Sequence, residues 1–330
     1  MSQIMPAAEL LARVHDIVGD ALQQTEILFD RELQSEHAYV RDILAHSRRF
    51  RGKRLRPILV LLAGSTCGGL TDEHPVLAAV VELIHTATLV HDDVLDEADV
   101  RRHVATVNTR WNNETSVLFG DYLFTHAFHL AASLSSTLAC RWIGAATNVV
   151  CEGELMQVRH RGHFELTEDE YLQIINGKTA ELCAVSCRLG AHFAGSDTET
   201  VDTLEAYGRD LGMAFQIADD LLDLLGDESE AGKTLGSDLA KQKLTLPLIR
   251  LLQTCDQATA EQVREWLAHP DEHTAAKLLP MLKDSDSLRY AKSLALEYAD
   301  SARRRLARLP ASPARDLLVE FAGFAVARNS

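Results

Sequence analysis

The sequence predicts an all-α protein, and two observations carry that prediction. Hydrophobic residues make up 46% of the 330 residues but aromatic residues only 6%, and the apolar residues are mostly leucine, alanine and valine. That composition favours helices over β-sheets. No proline lies between Pro75 and Pro247, so a long central stretch is free of the strongest helix breaker. No low-complexity segment or short repeat divides the chain, and we expect residues 1–330 to form a single domain.

Apolar periodicity and turn residues set the expected order of elements. Residues 10–18 carry leucine, isoleucine and valine at helical spacing and predict an amphipathic helix near the start of the chain. The basic segment, defined as Arg48 to Pro57, predicts a loop or a helix start with concentrated positive charge. After a turn at Gly68–Gly69, helical periodicity runs almost unbroken to Leu225. Residues 226–236 are polar and contain glycine, which predicts a mobile surface loop beside a site, and helices resume after it.

The net charge of −15 argues against a nucleic-acid partner, because binding to phosphate backbones needs a basic face. The acidity says little about a small substrate, since the local charge around a site matters more than the total.

Cysteine spacing and the apolar runs predict a cytoplasmic protein without an integral membrane segment. Cys183 and Cys187 are four residues apart on one predicted helix, and a free pair in a reducing compartment is favoured over a disulfide. The first 24 residues lack the basic-then-apolar layout of a signal peptide. The longest apolar run, residues 75–90, is interrupted by Glu82 and His85 and is shorter than a membrane span requires.

Two aspartate clusters lie within otherwise apolar helical patterns. The clusters are Asp92, Asp93 and Asp96, and Asp219, Asp220 and Asp223. At about 100° per residue, Asp92 and Asp96 lie about 40° apart, and His85 falls within about 20° of Asp92. Gln216 shares the corresponding face of the second helix with Asp220 and Asp223. Each predicted helix therefore presents carboxylates and one further polar group on a single face.

A solvated acidic surface explains these clusters less well than metal binding does. Surface carboxylates usually have a lysine or arginine four residues away, but Thr88 and Asp96 flank Asp92, and Gln216 and Leu224 flank Asp220. Two carboxylates about 4 Å apart repel each other by about 4 kcal/mol at an effective dielectric constant of 20. Oxygen ligands without a cysteine or histidine set favour Mg²⁺ or Mn²⁺ over zinc.

Magnesium typically bridges carboxylates to substrate phosphates, so two such clusters predict a site for a phosphate ester with several charges. Cations lie near both clusters and in the basic segment, where they could bind a second anion without a metal. These cations are Lys53, Arg54, Arg56, Arg101, Arg102, Lys233 and Lys243.

In combination, these residues resemble the trans-isoprenyl diphosphate synthases, the polyprenyl synthetase family, over nearly the whole chain. A single DDxxD motif would be weak evidence, but six motifs in the expected order are very specific. The motifs are GKRLRP at 52–57, DDVLD at 92–96 followed by Arg101–Arg102, GKTA at 177–180, FQIADDLLD at 215–223, KTLGSDL at 233–239 and TLPL at 245–248.

The resemblance implies an isoprenoid synthase fold, with helices around a central cavity, and usually a homodimer. It also implies Mg²⁺-assisted, head-to-tail condensation of isopentenyl diphosphate with an allylic diphosphate, giving an all-E polyprenyl diphosphate. The six aspartates would hold Mg²⁺ on the allylic diphosphate. Contacts to that substrate would come from Arg101, Lys178, Gln216 and Lys233. Isopentenyl diphosphate would be bound by Lys53, Arg56, His85 and Arg102.

Two further residues complete the implied site. Thr179 would present an oxygen dipole to the allylic cation, together with Lys178 and Gln216. Lys243 would add positive charge near the leaving group. No dedicated base is evident, and the released diphosphate is the expected proton acceptor.

The chain departs from the family pattern at positions where glycine is common. His103 follows the double arginine, Asn112 lies in a WGN-like stretch, and Gln242 precedes Lys243. If the backbone at position 242 needs a positive φ, the glutamine there would be mildly strained, because glycine adopts positive φ more readily.

The resemblance also implies that product length depends on the residues four and five positions before the first aspartate. These residues, Thr88 and Ala87, are both small, which predicts a long-chain product. The growing chain would extend into a tunnel beyond these residues. Phe124 and Phe128 could close the far end of that tunnel, or they could be ordinary core aromatics.

Three other functions remain open at this point: a short-chain farnesyl or geranylgeranyl diphosphate synthase, a terpene cyclase or head-to-head synthase, and a non-catalytic subunit of a heteromeric prenyltransferase. The basic segment and His85 argue against the cyclase, and the two intact clusters argue against the subunit.

Overall fold

The computed structural model describes residues 6–50, 52–225, 237–271 and 273–327, and it confirms the predicted all-α class. The α-helices, numbered here in chain order, are α1 Ala7–Glu32, α2 Ala38–Ser47, α3 Leu55–Thr66, α4 Glu73–Leu95, α5 Val107–Arg110, α6 Asn113–Ala131, α7 Leu138–Arg159, α8 Glu168–Ile175, α9 Glu181–Phe193, α10 Thr198–Leu225, α11 Ser237–Ala240, α12 Leu246–Thr254, α13 Gln257–Ala268, α14 Thr274–Asp284, α15 Ser287–Leu306 and α16 Pro313–Ala327. A 3₁₀ turn spans Arg48–Phe50, a π-helix spans Asn176–Ala180, and a short antiparallel hairpin pairs β1 (Val100–Arg101) with β2 (Val104–Ala105).

Polar side chains begin several of these helices by accepting bonds from the first backbone N–H groups. Asn112 accepts from the N–H of Thr115 at the start of α6. Thr167 and Glu170 form a reciprocal capping box at the start of α8. Asn112 has an extended backbone, with φ −173°, so no glycine is needed at this departure from the family pattern.

The helices pack in a continuous series, α15 on α10, α10 on α9, α9 on α3, α3 on α4 and α4 on α6. Backbone contact is close within this series. A Cβ atom added to Gly190 of α9 would lie 2.1 Å from the carbonyl oxygen of Val60 in α3. Leu59, Val60, Leu61 and Leu62 of α3 are fully buried, as expected for a helix packed on several sides.

Two hydrophobic clusters meet along α10. The first half of this helix contributes Leu204, Tyr207 and Leu211 to a cluster built mainly from α1–α7, α9 and α16. The second half contributes Ile217 and Leu221 to a cluster with α8 and α12–α15. The single-domain organisation stays a prediction, but α10 belongs to both clusters and connects them through the core.

Helix α4 is a core helix whose apolar surface is covered by its neighbours. Among the described residues it alone is long and apolar enough to cross a bilayer, and 67% of its apolar window is buried inside the protein. It packs against α1, α3 and α6. Protein packing therefore accounts for its hydrophobicity.

Three residues other than glycine have left-handed backbone conformations that bear on the departures noted in the sequence. Arg102 and His103 form the two-residue turn of the hairpin, with φ values of 50° and 63°. Such turns favour residues like Asn-Gly, because both central residues need positive φ. Gln242 has φ 54°, so the condition under which mild strain was expected there is met. The side-chain amide of Gln242 donates to the carbonyl oxygen of Ala268 at 2.8 Å, and the backbone carbonyl oxygen of Gln242 accepts from the N–H of Gly162.

All six cysteines are free thiols. Cys183 and Cys187, the pair predicted to be free, are buried. The basic segment does contain a helix start, since α3 begins at Leu55. The predicted mobile loop, residues 226–236, lies outside the described residues, and Lys233 lies there with it.

Candidate active site

The first aspartate cluster lies at the carboxyl end of α4, where the helix emerges from the core. Asp92 and Asp93 belong to the last turn, and Asp96 follows the final helical residue while its N–H still bonds the carbonyl oxygen of Asp92 at 2.8 Å. Asp93 is only 1% exposed and accepts hydrogen bonds from Arg101, whose Nε and Nη2 both lie 2.8 Å from Oδ1. Burial raises the pKa of Asp93 to about 6 although Arg101 opposes that shift.

Three cations from distant parts of the chain surround Asp96. Arg161 Nη2 lies 2.5 Å from Oδ1, and Lys243 Nζ and Lys241 Nζ lie 2.9 Å and 3.3 Å from Oδ2. Burial disfavours the charged carboxylate, but the ammonium groups of Lys243 and Lys241 outweigh it and lower the pKa of Asp96 to about 2. This aspartate is therefore ionised throughout the neutral pH range.

Lys178 forms a bridge between Asp92 and helix α7. Its Nζ lies 3.5 Å from Asp92 Oδ2 and 2.5 Å from Glu154 Oε2, and it donates to Gln157 Oε1 at 2.8 Å. Burial raises the pKa of Glu154, with Asp92 adding to the shift. Its second oxygen, Oε1, is buried and has no hydrogen-bond partner in the described chain. The arrangement leaves an acceptor atom available to a ligand.

Two glycines allow the π-helix that carries Lys178 to lie directly against α7. A Cβ on Gly153 would be 2.6 Å from the backbone nitrogen of Lys178, and a Cβ on Gly177 would be 2.9 Å from the carbonyl oxygen of Val149. A π-turn of this kind is rare and often marks a functional site. Here the wider turn is closed by the N–H of Glu181 bonding the carbonyl oxygen of Asn176.

The second aspartate cluster is joined to the same π-helix through Thr179. The hydroxyl of Thr179 donates to Gln216 Oε1 at 2.7 Å, and Gln216 Nε2 donates to Asp220 Oδ1 at 2.7 Å. Tyr171 donates its hydroxyl to Asp220 Oδ2 at 2.6 Å. Burial, with Asp238 adding to it, raises the pKa of Asp220 to about 8. Gly212 permits this approach, because a Cβ there would be 2.5 Å from Ala180 Cα.

A second connection joins the two clusters on the other side of the site. The carboxylate of Asp223, 1% exposed, accepts from the backbone N–H of Asp238 at 3.1 Å. The carbonyl oxygen of Asp238 accepts from the N–H of Lys243, whose ammonium group lies on Asp96. Both clusters therefore border one site, which Lys178 and Thr179 close on one side and Lys243 closes on the other. Asp219 is partly exposed.

A cleft lined by arginine and histidine lies beside the first cluster. Its walls include His85, Asp93, Arg101 and Arg102. Burial, and then the positive charges of Arg56 and Arg102, lowers the pKa of His85 well below its ordinary value, which keeps the imidazole neutral at pH 7. A neutral ring retains one N–H with which to donate to an anion.

The basic segment also lines this cleft, through Arg48 and Arg54. The guanidinium of Arg102 lies against Gly52, where an added Cβ would come within 2.5 Å of both of its terminal nitrogens. Arg56 is half-buried, and its Nε is a buried atom without a hydrogen-bond partner in the described part of the chain. Lys53 is exposed. Arg56 of the basic segment and Arg102 of the hairpin therefore place positive charge near His85 of α4.

Arg54, which lies between Lys53 and Arg56 in the sequence, has a structural role. It bonds Glu26 Oε1 at 2.6 Å and Glu82 Oε1 at 2.5 Å, and its guanidinium lies 4.9 Å from the ring centre of Phe29. Its left-handed conformation, φ 56°, precedes the first turn of α3. The segment is thereby anchored to α1 and α4.

The residues expected to set product length lie one to two turns before the first cluster. Ala87 is fully buried, and Thr88 is partly exposed, with its hydroxyl bonded to the carbonyl oxygen of His85. Phe124 and Phe128 are partly buried against the main hydrophobic cluster. The ring of Phe124 lies 5.8 Å from that of His91.

Sequence reasoning missed several residues that contact the aspartates or Lys178. These are Glu154, Gln157, Arg161, Tyr171 and Lys241. Glu154 and Gln157 are three residues apart on α7, so a search for polar pairs at helical spacing could have found them. The other three carry no local signal, because their partners are remote in sequence.

The donor set fits a divalent metal that binds together with a phosphate. Carboxylate oxygens dominate the site and suit Mg²⁺. No three Asp, Glu, His or Cys side chains in the described residues form a metal site by themselves. The carboxylates instead pair with cations of the chain, so further ligand oxygens would have to come from a phosphate and from water.

The helical architecture and this site together define the class: an all-helical trans-prenyltransferase. The chain belongs to the polyprenyl synthetase family, whose model matches residues 37–282. The octaprenyl diphosphate synthase of Escherichia coli is 38% identical over 279 residues, 84% of this chain and 86% of that protein.

Solved structures agree with this assignment. A decaprenyl diphosphate synthase from Rhodobacter capsulatus matches with a TM-score of 0.91 and 35% identity, covering 97% of this chain and 99% of that one. A polyprenyl synthase from Caulobacter crescentus, complexed with calcium and isoprenyl diphosphate, matches with a TM-score of 0.92 and 36% identity, covering 97% and 98%. The expected family, fold and enzyme class are confirmed, and the long-chain names agree with the predicted long-chain condensation.

Proposed function

We propose that the protein condenses isopentenyl diphosphate with an allylic diphosphate, head to tail and with Mg²⁺, to give an all-E long-chain polyprenyl diphosphate. The observation that carries the proposal is that hydrogen bonds and ion pairs connect both aspartate clusters around one site. Thr179 of the π-helix bonds Gln216, which bonds Asp220, and Lys178 of the same π-helix pairs with Asp92. Lys243 pairs with Asp96 on the other side of the site.

The chain's own cations favour departure of the allylic diphosphate. As the C1–O bond breaks, negative charge grows on the leaving oxygen. Lys178, Lys243 and Arg101 are held beside Asp92, Asp96 and Asp93, from where they would stabilise that charge. Lys233 is proposed to act with them. Mg²⁺ on the six aspartates would neutralise the same diphosphate and so favour ionisation when bound.

The second substrate is held on the metal-free side. Lys53, Arg56, His85 and Arg102 are proposed to bind isopentenyl diphosphate, and the buried, unpartnered Nε of Arg56 supports this role. The alkene attacks the allylic C1, and a C–C bond forms. One proton then leaves C2 of the added unit for the released diphosphate, which balances the reaction without a protein base. The oxygen dipoles of Thr179 and Gln216 would stabilise the intermediate cation.

Product length is proposed to be long because Ala87 and Thr88 leave space before the first cluster. Larger side chains there would shorten the tunnel for the growing chain. Phe124 and Phe128 on the neighbouring helix are candidates for its far wall.

We further propose that the protein is a cytoplasmic homodimer. Free cysteines support a reducing compartment. On helix α6, Leu118 is 68% exposed and Val117 is 43% exposed. A second copy of the chain would cover these apolar side chains.

The test is incubation of purified protein with farnesyl diphosphate, labelled isopentenyl diphosphate and Mg²⁺, followed by chain-length analysis. We expect long-chain product that disappears with EDTA and returns with Mg²⁺. Short products only would establish the short-chain alternative, and cyclic or head-to-head products would establish a cyclase or squalene-type enzyme. No elongation by the protein alone would favour a subunit of a heteromeric enzyme. Light scattering tests the dimer.

A further inference from the structure

The hairpin that carries Arg101 and Arg102 is held to the rest of the site at separate points. Nε and Nη2 of Arg101 both donate hydrogen bonds to the carboxylate of Asp93. The base of the hairpin is secured by Thr106, whose hydroxyl donates to the carbonyl oxygen of Ala98 at 2.6 Å. Arg102 sits in the turn with a left-handed backbone, and its guanidinium lies against Gly52.

His46 contacts the outer strand of the same hairpin. It is 4% exposed, and its Nε2 lies 2.7 Å from the carbonyl oxygen of Ala105, which pairs with Val100 across the hairpin. Its Nδ1 lies 3.0 Å from Nη1 of Arg110. Arginine only donates and a carbonyl oxygen only accepts, so the ring must carry its proton on Nε2 and accept at Nδ1.

The surroundings of His46 hold this ring in one orientation and charge state. Trp111 packs edge-on against it, with ring centres 5.3 Å apart. Burial, followed by the positive charges of Arg110 and Arg49, lowers the pKa of His46, so the ring stays neutral. The next residues in the chain, Ser47 and Arg48, line the same cleft as Arg102.

We propose that His46 is a positioning residue for isopentenyl diphosphate: it fixes the strained Arg102–His103 turn against the basic segment, so that Arg102 faces the second substrate. The inference rests on the proposed function, because it assigns that substrate to the cleft. The proposal assigns different supports to the two arginines, because the bond to Asp93 holds Arg101 independently of His46.

The test compares two buried histidines that each use both ring nitrogens. His46→Leu removes the bond to the hairpin. His74→Leu is the matched control, because His74 is fully buried and bonds Thr71 and the carbonyl oxygen of Gly190, away from the hairpin. Calorimetry with isopentenyl diphosphate gives its Kd for each variant, steady-state kinetics give kcat and both KM values, and thermal unfolding reports stability.

We expect His46→Leu to raise the Kd and KM for isopentenyl diphosphate about tenfold, a change of about 1.4 kcal/mol. The KM for the allylic substrate and kcat should stay within about twofold. His74→Leu should lower the thermal midpoint and leave both substrate constants unchanged. His46→Gln, which retains an N–H donor, should recover most of the affinity.

Three results would overturn the proposal. They are an unchanged Kd in folded His46→Leu, equal losses for both substrates, and the same selective loss in His74→Leu. If His46→Leu does not fold, Arg110→Gln decides, because it leaves the bond from His46 to the hairpin in place and removes the guanidinium that donates to Nδ1 and lies on the Trp111 ring, from an exposed position. We expect it to raise the Kd about threefold, and no change refutes the role.

Failure of the proposed function is distinguishable from failure of the role proposed for His46. A wild-type protein that binds isopentenyl diphosphate but does not elongate refutes the reaction, while the Kd comparison still decides the role of His46. A wild-type protein that does not bind it overturns both.

Discussion

Gly153→Ala tests whether backbone contact between α7 and the π-helix sets the position of Lys178. The new Cβ would lie 2.6 Å from the nitrogen of Lys178 and 3.0 Å and 3.1 Å from C and Cα of Gly177. All three are backbone atoms, so no side chain can rotate away. Reaching the 3.4 Å at which ordinary contact begins requires the two helices to separate by about 0.8 Å.

That separation should affect both stability and catalysis. Overpacking of this kind costs about 1–3 kcal/mol of the free energy of unfolding. Lys178 would also move relative to Glu154, whose carboxylate lies 2.5 Å from its Nζ. A displacement near 1 Å in a positioned group can lower kcat by about 100-fold. The loss in kcat should therefore exceed what the folded fraction explains.

The assay combines thermal unfolding with steady-state elongation, and α7 supplies a matched control. A Cβ added to Gly144 meets only Phe128 Cε1, at 4.0 Å. Gly144→Ala should therefore raise stability by about 0.5–1 kcal/mol and leave kcat unchanged. Wild-type stability and kcat in Gly153→Ala would refute the reasoning, as would equal effects of the two substitutions.

Three other substitutions test separate features. Tyr171→Phe leaves a buried oxygen of Asp220 without its hydrogen-bond donor, which costs about 1–3 kcal/mol, and should lower kcat/KM for the allylic substrate about tenfold. Tyr290→Phe, which breaks a tyrosine–carboxylate bond elsewhere, should not lower it, and a similar loss in both would contradict a role in the site. His103→Gly should raise the free energy of unfolding by about 0.5 kcal/mol in denaturant titration, because glycine tolerates φ 63°. His103→Ala keeps the strain, and an equal gain from it would refute this explanation. Ala87→Phe should shorten the product in chain-length analysis, and an unchanged distribution would show that the tunnel does not pass this residue.

The sequence alone predicted the helical class, the family and the placement of both aspartate clusters, because these follow from local patterns. Apolar periodicity shows which face of a helix is buried, and Asp93, Asp220 and Asp223 are indeed buried. The comparison with the family pattern also singled out Gln242 as a position that would be strained if its φ were positive, and its φ is positive. Each of these inferences depends on residues within a few positions of one another.

Only the tertiary structure decided which groups contact the carboxylates. Sequence spacing showed no lysine or arginine four residues from Asp92 or Asp220, yet Asp96 pairs with Arg161 and Lys243, 65 and 147 residues further along the chain. Tyr171 donates to Asp220 across 49 residues. Helical periodicity shows only neighbours on the same helix, whereas these contacts depend on how helices cross. Those crossings are fixed where glycines let backbones meet, and they make the two clusters the borders of a single site.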